Sequence, residues 1–415
     1  MRIWIINHYA VSPDAAGGTR HFNFARRLLQ KGHEVLIIAA DYNHFSQKYT
    51  APGRETSGPD ISSGVPFCWV SVPPYKGNTA ARFWNMLVFA WRVRNMAVSS
   101  ALPKPDVIIG SSPHLFAAWG AERLSKRLDV PFVLEVRDIW PDTLVDLGKF
   151  THRHPLIRVM KSIEKHLYRR AKKIIMLLPS AGEYLARFGV RSDDTLWLPN
   201  YVDMGLVSGS NAASHNKKFM VMYAGAHGLA NDLDSVLVAA EILQQQGLSE
   251  HIRICLIGDG PEKSRLMAEA AARKISMIEF LDSVPKGEVY SVLQQADAFL
   301  MLLKKSPVFR WGISPNKLFD YFAMAKPVIF GVDTPHDPVK IAEAGISIPS
   351  GDSKALAGAI CDLFHTPENK RLEMGERGKK YVSAHHNIIQ LTDDMEKMLE
   401  EAVFGCMPAK AGINA

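Results

Sequence analysis

Lys317 and Asp320 stand three residues apart in the run GISPNKLFDYFAMAKPVIF (312–330), where a loop of Gly, Ser, Pro and Asn passes straight into apolar residues. A helix opening here puts both on its first turn and lines Leu318, Phe319, Phe322 and Ala323 along one apolar face. Unpaired backbone N–H groups and the positive end of the helix dipole make such a start an anion site, and a lysine adds charge to it. The spacing ends the helix at Ala325-Lys326-Pro327, before a buried strand Val328-Ile329-Phe330. A plain capped helix would show the same pattern, so the chemistry depends on what else converges here.

Other stretches carry related chemistry. Glycine-bearing loops occur at Gly17-Gly18, at Gly225-Ala226-His227-Gly228, at Gly258-Asp259-Gly260-Pro261-Glu262, and at Gly312 to Asn316 with Ser314 and Pro315 between. Such loops let backbone N–H groups approach a phosphate with no Cβ in the way. Neither the Walker pattern nor GxGxxG opens a helix, so nucleoside triphosphatase and nicotinamide oxidoreductase lose their usual support. His227 could approach a bound anion or sugar, or be a bystander. Arg137-Asp138 could bind a sugar or acceptor, or form a local ion pair. Asp232 and Asp234 make a DxD string, but they open a helix, which favours N-capping over metal binding. Glu262, at another helix start, reads as compensating the dipole.

The elements that must position these residues form two similar alternations. Strands are expected at RIWIINHY (2–9), Glu34 to Ala39, Val107 to Gly110, Phe132 to Val136 and Ile174 to Leu178. A second set covers Phe219 to Gly225, Ile252 to Gly258, Ile278 to Phe280, Ala298 to Leu302 and Val328 to Phe330. Helices fall between them, at Phe24 to Leu29 and Leu233 to Gln246 among others. Continuous apolar strands separated by helices imply parallel sheets covered on both faces, hence α/β with two doubly wound, Rossmann-like domains. The junction is expected at Leu198-Pro199-Asn200-Tyr201-Val202-Asp203, followed by a polar stretch from Ser208 to Lys218. Ligands of such sheets bind beyond the strand carboxyl ends, so the expected site is a cleft between the facing domains.

At 415 residues the chain is long enough for two domains, and its 47% hydrophobic and 22% charged residues are ordinary for a globular protein. The net charge of +7 is uneven: residues 1–200 hold 27 Lys and Arg against 16 Asp and Glu, a surplus of eleven, while the rest is acidic by four. A basic half expects an anionic partner, yet no nucleic-acid motif accompanies it. In ARFWNMLVFAWRVRNMAV (81–98) the arginines interleave with Phe83, Trp84 and Trp91, and residues 154–177 hold seven Lys and Arg among apolar positions. Such helices suit an anionic membrane interface, or a buried helix with a basic edge. Cys68, Cys255, Cys361 and Cys406 show no zinc or disulfide spacing, which fits a reducing cytoplasm. The opening MRIWIINHYA does not read as a signal peptide, and no long apolar span follows.

Taken in order, the Gly17-Gly18 loop, LPNYVD, YAG (223–225), IGDGPE (257–262), LDSVPKGEVYSVLQQADAFL (281–300) and SPNKLFDYFAMAKPVI (314–329) resemble the retaining, nucleotide-sugar-dependent glycosyltransferases of family four, which have the GT-B fold. EVRDIWPDTLVDLG (135–148) further resembles the bacterial O-antigen and capsule branch, including fucosamine-transferase-like members. The resemblance implies an acceptor-binding domain at 1–199 and a donor-binding domain at 200–384, with a last helix at about 385–403 packing back on the first. It implies a UDP-sugar donor, no metal or other cofactor, and a lipid-diphosphate-linked saccharide acceptor reached from the cytoplasmic face of the inner membrane. Lys317 would pair with a donor phosphate, Asp320 with the ribose hydroxyls, and Ser283 to Lys286, including Val284, with the nucleobase. Gly17, Gly18, Gly258, Gly260, Leu318 and the Gly312 to Asn316 loop would complete the donor site, with Asp138 near the sugar. The chain departs from the family in having Gly312 in place of a usual glutamate, and Ala226 and Asn231 in place of Arg and Lys. Much of the cationic load then falls on Lys317, with Arg310 as a second cation. With no evident nucleophilic carboxylate, front-face departure of the diphosphate is the expected route to retention. A catalytically weak partner subunit and a sugar-nucleotide epimerase of related fold remain as alternatives.

Overall fold

The computed structural model describes residues 1–15, 17–50, 59–77, 79–207, 218–285 and 287–405. Ala16 of the first glycine loop, nearly all of the Ser208 to Lys218 stretch, Lys286 and Cys406 lie outside the described residues. The chain divides into two units, Met1–Pro199 with Ile389–Ala415, and Asn200–Ile388.

In the first unit, strands β1 (Arg2–Ile6), β2 (Glu34–Ala40), β3 (Phe67–Val70), β4 (Val107–Ser111), β5 (Phe132–Val136), β6 (Lys173–Met176) and β7 (Thr195–Trp197) make one parallel sheet ordered β3-β2-β1-β4-β5-β6-β7. All of β4 and β5 is buried, as continuous apolar strands under two helical layers must be. Helices α1 (Arg20–Gln30), α2 (Ala80–Arg94), α3 (Leu115–Leu128), α4 (Asp142–Asp146) and α5 (Pro155–Arg170) flank it. The first strand stops at Ile6, short of the expected Tyr9, which leaves His8 and Tyr9 on the sheet's carboxyl rim. The stretch at 81–98 yields α2, with Met86, Phe89 and Val93 buried while Trp84 and Trp91 are each 61% exposed. The basic stretch at 154–177 is two elements, α5 and then β6. The last helix, Ile388–Phe404, ties to this unit through Lys31–Glu396 (2.7 Å) and His33–Glu396 (2.6 Å).

The second unit repeats the plan. Strands β8 (Phe219–Ala224), β9 (Ile252–Ile257), β10 (Ile278–Leu281), β11 (Ala298–Leu302), β12 (Val328–Gly331) and β13 (Gly345–Ser347) lie parallel in the order β10-β9-β8-β11-β12-β13. This is the doubly wound order, and its direction reverses between β8 and β11, where helix starts and strand ends open a crevice. The expected helix at Leu233 to Gln246 is found at Leu233–Gln245, and the run of the opening residues forms the helix Asn316–Ala323. Leu318, Phe319, Phe322 and Ala323 are buried, and Ala325 turns left-handed (φ 53°) to end the helix ahead of β12.

Candidate functional site

Beyond the carboxyl ends of β8 and β9 the second unit has an open pocket of about 350 Å³, lined by Gly225, Ala226, Gly258, Ser283, Val284 and Leu293 among others. Two loops make its floor by interlocking. Gly225 N–H donates to Ile257 O (2.9 Å) and His227 N–H to Asp259 O (2.8 Å). The approach is so close that a Cβ on Gly258 would fall 2.0 Å from Gly225 O, and one on Gly260 would fall 2.5 Å from His227 O. Both glycines are therefore packing requirements of the floor as well as openings for a ligand.

Lys317 sits on the first turn of its helix, whose start carries no side-chain cap. Its side chain runs past Gly225 and its Nζ donates to Asn231 Oδ1 (2.6 Å) and Tyr223 Oη (3.1 Å), 4.5 Å from the centroid of the Tyr223 ring. None of these partners is anionic, so burial pushes the amine down to about 7. Asn231, where the family commonly has lysine, thus holds Lys317 instead of adding charge, and is itself anchored by donating to Ala226 O (2.9 Å). Asp320, one turn on, accepts from Tyr290 Oη (2.9 Å), and burial raises its carboxyl to about 6. Gly225, Gly258 and Val284 line the pocket itself, whereas Lys317 and Asp320 do not: Lys317 packs beside Gly225, and Asp320 bonds Tyr290 of the short helix Val289–Leu293, whose Val289, Val292 and Leu293 do line it. Tyr321 fixes the helix from below: its hydroxyl bonds both N–H (2.9 Å) and O (3.0 Å) of Ala224, and its ring stacks on Phe299.

Other expected residues are placed differently. His227 is fully buried between Tyr223 and Phe280, and neither ring nitrogen has a hydrogen-bond partner among the described residues. Its ring is thus beneath the loop and does not line the pocket. Asp232 occupies the cap position before its helix, but in a left-handed conformation (φ 51°) with no side-chain cap. The capping expectation therefore fails: its carboxylate accepts from Ser235 Oγ (2.7 Å), while Asp234 pairs with Arg265 (2.6 Å) and Lys304 (3.2 Å). Gly312 has φ 95°, a region that a glutamate enters only with strain, so the loop as folded here favours the glycine. Ser314 accepts the Asn200 N–H through its hydroxyl (2.8 Å), Pro315 and Asn316 form the helix entry, and Arg310 is exposed on the 3-10 turn Pro307–Trp311, over the Trp311 ring.

The carboxyl rim of the first unit is built another way. Glu135 of β5 is buried with Arg20 (2.9 Å) and His21 (2.8 Å), and it accepts a further bond from Ser111. Burial opposes its charge, but Arg20 and His21 outweigh that and hold the carboxyl well below the usual carboxylate range. Arg20 also donates to the Leu198 and Pro199 carbonyls (2.7 Å each), at the end of this unit's main segment. His8 and His114 join Nδ1 to Nε2 at 2.7 Å, and burial keeps both neutral. Asp138 follows β5, half-buried, with its carboxyl raised by burial against the opposing pull of Arg137. Gly17 and Gly18 precede α1, whose start is uncapped. Tyr223, Tyr290 and the Arg20–Glu135–His21 group escaped sequence reasoning because single polar residues scattered over strands and helices leave no periodic signal.

Two doubly wound parallel sheets, each reversing its strand order near its centre, are the architecture of GT-B glycosyltransferases. The chain belongs to family four of these enzymes: a Glycosyl transferase 4-like domain matches residues 17–201, and a Glycosyl transferases group 1 domain matches residues 210–381. It is 23% identical over 334 residues, 75% of its length, to a protein of Escherichia coli (strain K12) assigned to colanic acid biosynthesis as glycosyl transferase WcaI, 79% of which is covered. Its fold resembles sucrose-phosphate synthase from Thermosynechococcus elongatus (TM-score 0.72, 14% identity, 98% of this chain and 100% of that one). It also resembles Anabaena Alr3699/HepE, solved with UDP (TM-score 0.70, 13% identity, 97% and 100%).

Proposed function

We propose that this glycosyltransferase moves a sugar from a UDP-sugar to a lipid-diphosphate-linked saccharide, with retention of configuration, in the making of a bacterial surface polysaccharide. The observation that carries the reading is the half-buried Lys317, held by neutral partners at an uncapped helix start beside a glycine-floored pocket. A diphosphate supplies the charge that this amine lacks, and Asp320 accepts from ribose hydroxyls. Val284 and Ser283 border the nucleobase. Charge growing on the leaving diphosphate is met by Lys317 and backbone N–H groups, so no metal ion is required. The UDP complex of HepE and the colanic acid assignment of WcaI support donor class and pathway type. The 135–148 string supports an N-acetylated hexosamine or deoxyhexosamine as the sugar, in an O-antigen or capsule type of product.

The test is incubation of the pure protein with UDP- and GDP-sugars, with and without a lipid-diphosphate acceptor, in EDTA. Transfer that needs both a UDP-sugar and the acceptor is expected. Donor turnover without acceptor would mean an epimerase, and binding without turnover a partner subunit. Loss of transfer in EDTA, restored by magnesium or manganese, would remove the metal-free assignment. The basic first unit and exposed Trp84 and Trp91 also support peripheral binding at the anionic cytoplasmic face of the inner membrane. Among the described residues no helix is long and apolar enough to cross a membrane. Vesicle co-sedimentation should weaken with salt and without anionic lipid, each basic residue contributing about 1 kcal/mol.

A further inference from the structure

The first unit holds a second pocket, of about 470 Å³, between the start of α2 and the segment from Trp140 to Met160. Its walls are Phe83, Met86, Phe116, Trp140, Leu144 and Phe150. Its volume lies within the roughly 300–1,000 Å³ that small organic ligands occupy. Two cations border it, Arg82, which donates to Tyr9 Oη (3.1 Å), and the exposed Lys149, and among the described residues no acidic side chain lines it. The rim continues as exposed apolar surface, with Leu147 53% exposed and Trp84 of α2 61%. Beside Arg82, the rings of Tyr9, His44 and Tyr75 make a polar aromatic basin, in which His44 Nδ1 meets Tyr75 Oη at 2.8 Å.

An apolar slot lined by two cations and, among the described residues, by no acidic side chain matches an amphiphile whose hydrocarbon adjoins a phosphate. We infer that this pocket takes the phosphate-proximal hydrocarbon of the lipid-linked acceptor, with Arg82 and Lys149 at the phosphate and the aromatic basin toward the saccharide. The inference rests on the lipid-linked acceptor reading and adds to it where the chain of the lipid goes. A membrane-docking patch would need only the exposed tryptophans. The open slot of about 470 Å³ beside Trp84 gives a single chain room to lie against the protein.

The experiment reads binding alone. Hexyl and decyl phosphate, below their micelle-forming concentrations, are titrated into the full-length protein by calorimetry, with decanol and inorganic phosphate as probes of each half. Each buried methylene is worth about fourfold in affinity, so decyl phosphate should bind at least about tenfold tighter than hexyl phosphate. Leu144→Glu should abolish that chain-length dependence, and Lys149→Glu should weaken decyl phosphate while leaving decanol unchanged. Leu147→Glu, at an exposed position, serves if Leu144→Glu does not fold, and UDP titration checks that the second unit is intact. Equal binding of the two chain lengths, or indifference to Leu144→Glu (or its substitute Leu147→Glu) and to Lys149→Glu, overturns the proposal. So does loss of vesicle binding in Leu144→Glu with decyl phosphate binding retained, because the face then docks on the bilayer. Transfer to a lipid-linked acceptor that ignores Leu144→Glu sinks the pocket assignment and leaves the proposed reaction standing. Chain-length-dependent binding without transfer sinks the reaction and leaves the pocket.

Discussion

The two carboxyl rims sit on sheets of the same winding, yet they handle charge in opposite ways. In the first unit the buried Glu135 is answered from within, by Arg20 and His21, and the histidine pair stays neutral. In the second unit Lys317 and Asp320 are left among hydroxyl and amide partners, with pKa values of about 7 and about 6. A self-neutralised cluster is a scaffold, whereas a cluster that leaves a cation and an anion desolvated and apart gains most when a ligand answers both. The same fold therefore gives the Glu135 cluster of the first unit to structure and the Lys317–Asp320 pair of the second to binding.

The largest expected effect tests the scaffold. Glu135→Ala leaves Arg20 buried without its counter-charge, which should cost about 3–5 kcal/mol of stability in urea unfolding. UDP affinity of the folded fraction should stay unchanged. If Glu135→Ala unfolds at the parent's midpoint, the rim of the first unit is not held by that pair and the contrast collapses.

Next comes Lys317. In Lys317→Ala the rate at saturating donor should fall by more than donor affinity does, on the order of 100-fold or about 3 kcal/mol, because leaving-group charge grows in the transition state. Asp320→Ala should act mainly on affinity, by about 1.5–3 kcal/mol, since ribose hydroxyls change little during transfer. Stability moves the other way. Ionised Asp320 carries a cost above pH 6 that is absent below about pH 4, so Asp320→Asn should raise Tm at pH 8, by up to about 2 kcal/mol of stability, and leave it unchanged at pH 3.5. An Asp320→Asn variant that is less stable at pH 8 would show that the carboxylate is satisfied in the free enzyme.

How much of this was legible beforehand follows from the kind of signal each feature leaves. Helix Asn316–Ala323, its apolar face and its stop at Ala325 were readable, because 3.6-residue periodicity and a Lys-Pro stop are local. Strands β3, β7 and β13 were not: at three or four residues on or near sheet edges, their pairing comes from tertiary context. The position of Lys317 could be read, but its neutral partners could not, because Tyr223 and Asn231 meet it only after β8 and the helix are brought together. The DxD string misled for the same reason. Ser235, one turn on, and Arg265 and Lys304, brought near by the fold, settle what those carboxylates do.

The smallest effect is also the most direct reading of the second rim. Lys317 titrates at about 7 and Asp320 at about 6 in the free enzyme, and a donor stabilises the charged form of each. Binding therefore takes up a proton at Lys317 above pH 7 and releases one at Asp320 below pH 6. Affinity should peak between those values and fall by up to tenfold per pH unit on either side, until the bound-state pKa values are reached. A UDP-sugar is the proper probe, because its diphosphate has no group titrating in this range, unlike the terminal phosphate of UDP. Calorimetry from pH 5 to pH 9 should give the peak, with Asp320→Asn flattening the acid limb and Lys317→Arg flattening the alkaline limb, since arginine keeps its charge. A profile that is flat across that range would mean that the donor meets neither group, and the Lys317–Asp320 pair would then be as self-sufficient as the Glu135 cluster.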